Sequence, residues 1–296
     1  MAYEITNVMK RTYAEYFALT VRQLINQFRA KVEVKPFEGV ACYFDYLGEF
    51  TPRKRTSSEA DTYLHDKPFT RRLCVSSPYD LAVLLDTADL KRLGKDPTSD
   101  IMQAFRAGFE SLIDRLILAA AIASAISVST EDETKATVPL PAGQIITETG
   151  TLGLTVAKCR QAMTILNKNK VPRNWPRNFA LSAQGVDDLL DDPDITLADE
   201  LALNAIKDGE AKNIMGFDMY MTEETPLNST THIRSNVAWV KNGLGLGIQE
   251  EYATDLGVRR DKNLAKQAFA SMDLGATRKE EKLVVEVRAY DLTTYS

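Results

Sequence analysis

The stretch from Asp96 to Ser127, DPTSDIMQAFRAGFESLIDRLILAAAIASAIS, predicts a single very long helix. Asp96 suits an N-cap and Pro97 suits the first helical position. Apolar residues then recur every three or four positions, as on one face of a helix. The residues on this face are Ile101, Phe105, Phe109, Leu112, Leu116 and Ala123. A helix from Pro97 to Ser127 would be about 45 Å long at 1.5 Å per residue, which is more than a compact domain of this size usually needs.

The segment before this helix, Pro36 to Ser77, is predicted to project as a flap. Strand-like pieces at Gly39–Phe44 and Phe69–Val75 flank a charged tip that runs from Arg53 to Asp61 and is rich in Ser and Thr. Two strands alone are only marginally stable in water and need a further surface to pack on. A projecting flap beside a long spine helix indicates a subunit that is built to hold other subunits.

The rest of the chain mixes helices and strands without a regular βαβ repeat, which favours an α+β fold. The stretch 130–153 looks like a loop because prolines and glycines punctuate it. Helical patterns are predicted at 8–30, 78–94, 155–168, 184–190 and 197–206. Strands are predicted at 178–182, 214–221, 232–240, 269–274 and 282–288.

Composition excludes several classes of protein. The chain has 296 residues, of which 44% are hydrophobic and 26% charged, so a folded globular protein is expected. A net charge of −5 argues against a nucleic-acid binder that works through a basic surface. The longest apolar stretch, Leu116–Val128, is too short to cross a membrane, and the first residues lack a secretory signal pattern. Cys42, Cys74 and Cys159 lack metal-binding spacing and are interpreted as reduced core thiols of a cytosolic protein.

No catalytic, cofactor or metal site is predicted. Gly243-Leu-Gly-Leu-Gly247 resembles part of a dinucleotide-binding loop, but Ile248 stands where the next glycine is needed and no helix pattern follows. Close passage of two backbones is the preferred interpretation of these glycines. His65 and His232 are the only histidines, and neither has partners in the sequence that would complete a catalytic triad or a zinc site.

One stretch, from Gln184 to Thr225, is strongly acidic, with twelve carboxylates against two lysines. Clustered acids at 187–188 and 191–194 offer the oxygen ligands that calcium prefers, but the spacing of an EF-hand is missing. A solvated acidic loop is therefore the preferred interpretation.

Five basic residues are candidates for contacts on the flap. They are Arg53, Lys54, Arg55, Arg71 and Arg72. One interpretation is phosphate binding, and another is pairing with acids of an adjacent subunit, which fixes orientation. Aromatic residues are not interleaved at the tip, so inter-subunit contact is favoured.

Taken in order, these elements resemble the major capsid proteins of tailed bacteriophages, which have the HK97-like fold. The sharpest local match is Phe179-Ala-Leu-Ser-Ala-Gln184 followed by Ile214-Met-Gly-Phe-Asp-Met-Tyr220 and Thr225-Pro-Leu227. This order resembles the axial-domain pattern of the family, and Asp273–Val287 resembles the strands that return to the peripheral domain. The resemblance covers nearly the whole chain.

The resemblance implies four structural parts. Residues 1–35 would be an N-terminal arm, 36–77 an extended loop, 78–130 with 248–296 a peripheral domain that contains the spine helix, and 131–247 an axial domain. It also implies a non-enzymatic subunit without a cofactor. Such subunits assemble as pentamers and hexamers of an icosahedral shell around a double-stranded DNA genome. The alternative within the same fold is an encapsulin, a cellular cage that encloses cargo enzymes.

The implied partners are other copies of the chain, with separate scaffolding, portal and decoration proteins as further partners. Packaged double-stranded DNA would be enclosed without sequence-specific binding, and no membrane is involved. The implied location is the virion capsid, after assembly in the host cytoplasm. The arm pattern begins almost directly after Met1, so we expect a separate scaffolding protein or scaffold-free assembly. Covalent cross-links through Lys54 or Lys67 are not expected.

Overall fold

The computed structural model describes residues 27–59, 61–62, 64, 69–85, 98–129, 134–147, 150, 152–192 and 213–291. The predicted helix at 197–206, most of the predicted helix at 8–30, the Asp96-Pro97 cap and His65 lie outside these residues. The described chain combines three α-helices with three β-sheets, which confirms the α+β class.

The helices are α1 (Thr98–Ile122), α2 (Val156–Lys168) and α3 (Ala183–Leu190). The strands of the first half are β1 (Glu33–Pro36), β2 (Ala41–Leu47), β3 (Phe69–Val75), β4 (Ser77–Leu85), β5 (Ala125–Val128), β6 (Lys135–Val138) and β7 (Ile145–Ile146). Those of the second half are β8 (Arg177–Leu181), β9 (Asn213–Ile214), β10 (Phe217–Met221), β11 (Leu227–Asn228), β12 (Ile233–Val240), β13 (Leu244–Arg259), β14 (Ala265–Arg278) and β15 (Val284–Tyr290).

A seven-stranded sheet with the order β7-β15-β12-β8-β10-β9, in which β11 pairs with β12, forms one half of the body. Helices α2 and α3 cover one of its faces, where Cys159, Leu166 and Leu189 are fully buried. Both helices begin at capping side chains, since Thr155 and Ser182 accept hydrogen bonds from the backbone N–H groups of Lys158 and Gly185. The predicted helices at 155–168 and 184–190 and the strand at 178–182 are thereby confirmed.

A four-stranded sheet with the order β1-β13-β14-β4 carries α1 on one face. Phe105, Phe109, Ile113 and Ile117 of α1 are buried against this sheet and the second face of the larger sheet. The predicted apolar stripe is therefore confirmed at its two phenylalanines. Three other predicted members, Ile101, Leu112 and Leu116, are half-buried, and Ala123 is exposed beyond the helix end.

Helix α1 is shorter than predicted, because it ends at Ile122 and Ala125–Val128 forms strand β5. Strand β5 pairs with β3 and β6 to build the third sheet, of order β2-β3-β5-β6. The buried guanidinium of Arg278 fixes this ending, since it donates to the carbonyls of Ala121 at 3.0 Å and Val138 at 2.8 Å. A cation at the last turn satisfies carbonyls that a helix leaves without partners.

The predicted helix at 78–94 is wrong in its described part, since Ser77–Leu85 is the edge strand β4. Alternate residues of β4 lie on the same face of the strand. Among them, Tyr79, Leu81 and Val83 pair with Met272, Ala270 and Ala268 of β14. Tertiary pairing therefore overrides a weak helical pattern. The predicted loop at 130–153 is also partly wrong, because it contains β6 and β7.

The predicted domain boundary between residues 247 and 248 falls inside strand β13. Strand β15, which was predicted as part of the peripheral domain, lies between β7 and β12 in the larger sheet. The two predicted domains would therefore share strands in this structure.

Candidate assembly surfaces

The flap is an antiparallel hairpin of β2 and β3, with Ala41 opposite Val75 and Leu47 opposite Phe69. Both strands lie close to their predicted positions, so this part of the prediction is confirmed. Strand β3 also pairs with β5 at the end of the spine helix. This pairing gives the root of the hairpin the further surface that two isolated strands lack.

The root of the flap packs directly on the glycine-rich start of β13. A Cβ built on Gly245 would lie 2.7 Å from Cζ of Phe44, and one built on Gly247 would lie 2.9 Å from Sγ of Cys42. Phe44, Cys42 and Cys74 form a small buried cluster over these two glycines. The Gly-Leu-Gly-Leu-Gly motif therefore permits close packing of two chain segments. The prediction of two backbones passing in a loop is only partly right, because side chains lie over Gly245 and Gly247 and the motif lies mostly in a strand.

Replacing Gly245 with alanine is expected to loosen the root of the flap, because the new methyl group would occupy the space of the Phe44 ring. We expect a loss of roughly 1–3 kcal/mol in the free energy of unfolding, measured by urea denaturation. Gly143 is a matched control, since a Cβ there would meet nothing within 4 Å. Equal stability losses in the two variants would contradict this packing.

The tip of the flap is exposed throughout residues 51–59, and this segment includes Arg53, Lys54 and Arg55. Arg71 lies closer to the root, where its guanidinium bonds the carboxylate of Asp45 at 2.8 Å and lies over the ring of Tyr43. The structure thus places three of the predicted contact residues at the exposed tip and Arg71 on the side of the hairpin.

Arg72 requires a correction, because it is only 3% exposed. Its guanidinium bonds Glu281 at 2.7 Å and the carbonyl of Lys279 at 3.1 Å, both in the same chain. Alternation along β3 explains the difference between neighbours, since adjacent side chains of a strand point to opposite faces. Arg72 therefore ties the flap root to the body and is not available at its surface.

A second surface lies on the face of the β1-β13-β14-β4 sheet opposite helix α1. Its register places Asp80 across from Ser271, Asp255 across from Phe269 and Glu250 across from Asp273. The four carboxylates therefore share one face, which we call the acidic sheet face. Its described positions at 78–84, 250–257 and 267–273 carry no lysine or arginine. No local sequence pattern indicates this surface, because its acids come from β4 and from the β13–β14 hairpin, which are far apart along the chain.

The described chain enters the body beside α1, at a point we call the arm root. Phe28 is fully buried and packs edge-on against Trp239 with ring centroids 5.3 Å apart. The carboxylate of Asp114 on α1 accepts hydrogen bonds from the backbone N–H groups of Gln27 at 3.1 Å and Phe28 at 3.2 Å. Burial, together with the charges of Glu224 and Glu110, raises the pKa of Asp114 to about 6, against the lowering effect of these two bonds.

Because of this raised pKa, we expect the contribution of the arm root to the free energy of unfolding to depend on pH. An aspartate in an unfolded chain has a pKa of about 3.9, so the folded value is the higher one. The stabilising contribution is therefore full below about pH 4 and is lost as pH rises through about 6. The free energy of unfolding of the native chain, relative to Asp114→Asn, should fall by at most about 1.4 kcal/mol per pH unit between these values. A pH-independent difference, measured by urea unfolding, would contradict the assignment.

The acidic stretch is only partly the solvated loop that was predicted. Asp188 accepts a hydrogen bond from the N–H of Leu154 at 3.0 Å, and Asp192 accepts one from Val156 at 2.9 Å. The two carboxylates therefore hold the start of α2, where anions are favoured by the helix dipole. Residues 193–212 lie outside the described part of the chain.

In the part of the chain that the structure describes, the remaining candidates for chemistry do not form a site. Cys42, Cys74 and Cys159 are all buried, as predicted. His232 lies exposed in a turn, against the ring of Tyr290. Within the described residues, histidine, cysteine and acidic side chains form no group of three that would hold a metal ion. None of the described helices is both long and apolar enough to span a membrane.

Comparison with known proteins supplies the family. The family model described as phage capsid protein matches residues 5–290. The capsid of cyanophage P-SCSP1u superposes with a TM-score of 0.74 at 13% identity, covering 97% of this chain and 94% of the other. The capsid of Ralstonia phage GP4 superposes with a TM-score of 0.71 at 10% identity, covering 97% of this chain and 96% of the other. The capsid of cyanophage Pam1 superposes with a TM-score of 0.71 at 11% identity, covering 99% of this chain and 100% of the other. A search of curated proteins gives no match. The HK97-like architecture expected from the sequence is thereby confirmed, and the chain belongs to the phage capsid protein family.

Proposed function

We propose that this chain assembles into pentamers and hexamers that close an icosahedral phage head around double-stranded DNA, inside the host cytoplasm. Membership of the capsid family supports a structural, non-enzymatic role in the virion. The observation that carries the assembly proposal is the form of the flap. Its root is built into the body through β5 and Gly245, whereas the tip is exposed throughout residues 51–59. An exposed tip on a fixed root suits contact with a neighbouring subunit.

We further propose that the tip residues Arg53, Lys54 and Arg55 contact the acidic sheet face of a neighbouring subunit. The tip carries three adjacent cations, and the acidic sheet face carries four carboxylates with no lysine or arginine at positions 78–84, 250–257 and 267–273. Arg259 lies at the end of this face, where it donates a hydrogen bond to Gln267 at 2.9 Å. Opposite charges across an interface set orientation and suppress wrong partners. Arg71 has a lesser part in this contact, because it already bonds Asp45 within the hairpin.

The encapsulin alternative is not favoured, because the family model matched over residues 5–290 is that of phage capsid proteins. The charge of the acidic sheet face also indicates how this face is oriented relative to the packaged DNA. Such a face would repel nucleic acid, so we expect it to lie against protein and not against the packaged DNA. Scaffolding, portal and decoration proteins remain proposed partners.

Sedimentation of the purified chain, with the scaffolding protein of the same phage where one is needed, tests the proposal. We expect closed particles of megadalton size by analytical ultracentrifugation and negative-stain electron microscopy. A strictly monomeric species under every assembly condition would contradict it. Deleting Thr51–Glu59 provides the matched variant, since exposed loop tips add little to a domain core. The deletion should preserve the circular dichroism spectrum of the subunit but prevent the formation of stable particles.

A further inference from the structure

Two of the three cysteines meet at the root of the flap. Cys42 and Cys74 lie directly opposite each other in the β2–β3 register, and both are buried. A Cβ built on Gly247 would lie 2.9 Å from Sγ of Cys42 and 3.3 Å from Sγ of Cys74. The two sulfurs therefore converge on one point above the same glycine.

This placement brings the two Cα atoms within the separation that a disulfide can span. Directly opposite residues of an antiparallel pair have Cα atoms about 4.5 or 5.5 Å apart. Disulfides span Cα separations of about 4.4–6.8 Å. Cys159 is distant from this pair, since it belongs to the other core, between α2 and the larger sheet. The chain thus offers one pairing of its cysteines and leaves the third as an internal control.

We infer that Cys42 and Cys74 form a redox-active dithiol, which a small disulfide oxidant converts into a disulfide across the root of the flap. The thiolate of Cys42 attacks one sulfur of the oxidant, forms a mixed disulfide and releases one thiol. The thiolate of Cys74 then attacks Sγ of Cys42, forms the intramolecular disulfide and releases the second thiol. The two cysteines lose two protons and two electrons, and the oxidant is reduced to two thiols.

The order of the two attacks follows from the environment of the thiols. Burial raises the pKa of both, and it raises that of Cys74 to about 12. The charge of Lys35 partly opposes this effect at Cys42. Because the thiolate is the attacking species, Cys42 is the better first nucleophile, and exchange in the folded subunit is expected to be slow.

The consequence for the flap rests on the proposed function. A subunit assembled in a reducing cytoplasm would carry free thiols, and a released particle would meet oxidising surroundings. The disulfide would join the two strands where the flap leaves the body, and would close the loop that contains the whole tip. Such a closure restricts the unfolded chain and stabilises the hairpin. The flap would be able to adjust during assembly and would be held more firmly afterwards.

Refolding in a redox buffer tests the inference whether or not the chain assembles, so its outcome is separate from that of the shell proposal. The reduced chain is refolded from urea in reduced and oxidised glutathione, which removes the kinetic effect of burial. We expect a loss of about 2 Da and a peptide that links Cys42 to Cys74, with Cys159 still free. The ratio of disulfide to dithiol should exceed that of the chain kept in urea by at least about tenfold.

Single variants and a stability measurement complete the test. Cys42→Ser and Cys74→Ser should each abolish the linked peptide, whereas Cys159→Ser should leave it unchanged. The oxidised native chain should melt several degrees higher than the reduced chain. An equal or lower disulfide ratio in the folded chain than in urea would overturn the inference. Glutathione adducts without an internal link, or a link to Cys159, would overturn it as well.

Discussion

Replacing Phe109 with alanine is expected to remove roughly 3–5 kcal/mol from the free energy of unfolding of the isolated subunit. Phe109 is 3% exposed and packs edge-on against Tyr252 with ring centroids 5.6 Å apart. It lies where the spine helix contacts the β1-β13-β14-β4 sheet, so its loss would leave a cavity between two large elements. Domains are held together by only about 5–15 kcal/mol, and we therefore expect largely unfolded or insoluble protein.

Gln103→Ala is the matched control on the same helix, because Gln103 is exposed. Its effect should stay within about 0.5 kcal/mol. Glu110 is a less suitable control, since it forms an ion pair with Arg106 one turn away at 3.1 Å. Urea unfolding followed by circular dichroism measures both variants against the unchanged chain. A larger loss at Gln103 than at Phe109 would show that the helix packs through another face.

Reversing Arg53, Lys54 and Arg55 together to glutamate is expected to abolish particle formation while leaving the subunit folded. The change would bring three acids against the acidic sheet face of the neighbour, and like charges across an interface cost several kcal/mol. Since exposed charges are screened within about 8 Å at physiological ionic strength, the defect should be strongest at low salt. Analytical ultracentrifugation across a salt series measures the effect.

A compensating variant makes this prediction specific. Asp80→Lys with Asp255→Lys reverses two acids of the acidic sheet face that lie on different strands. We expect these changes alone to weaken assembly, and to restore part of it when combined with the reversed tip. Rescue by the combination would identify the two surfaces as partners. Normal assembly of the triple tip variant at low salt would contradict the proposed contact.

Local patterns predicted much of the fold because interactions between residues close in sequence determine the structure of those segments. The capped helices α2 and α3 and the flap strands have clear periodicity and lie close to their predicted positions. The end of α1 and strand β4 were mispredicted because distant partners decide them. Ala125–Val128 continues an apolar helical pattern, yet it pairs with β3 and β6. Ser77–Leu85 is a strand because it pairs with β14, almost two hundred residues away.

The candidate surfaces also differ in whether their residues are neighbours in the sequence. The basic tip is contiguous in sequence and can be proposed from it, whereas the acidic sheet face combines β4 with the β13–β14 hairpin and has no local signal. Arg72 was assigned to the surface because sequence alone did not reveal Glu281 beneath it. Asp114 was missed as the anchor of the arm root because a single acid on a helix carries no signal of the backbone N–H groups it will meet.

A cryo-electron microscopy reconstruction of assembled particles would show where each flap lies in the shell. We expect a closed shell with icosahedral symmetry, in which the basic tip of each subunit lies against Asp80 and Asp255 of a neighbour. The root of each flap should remain packed on Gly245 of its own subunit. A flap tip that lies on its own subunit, or particles without closed symmetry, would contradict the proposed assembly.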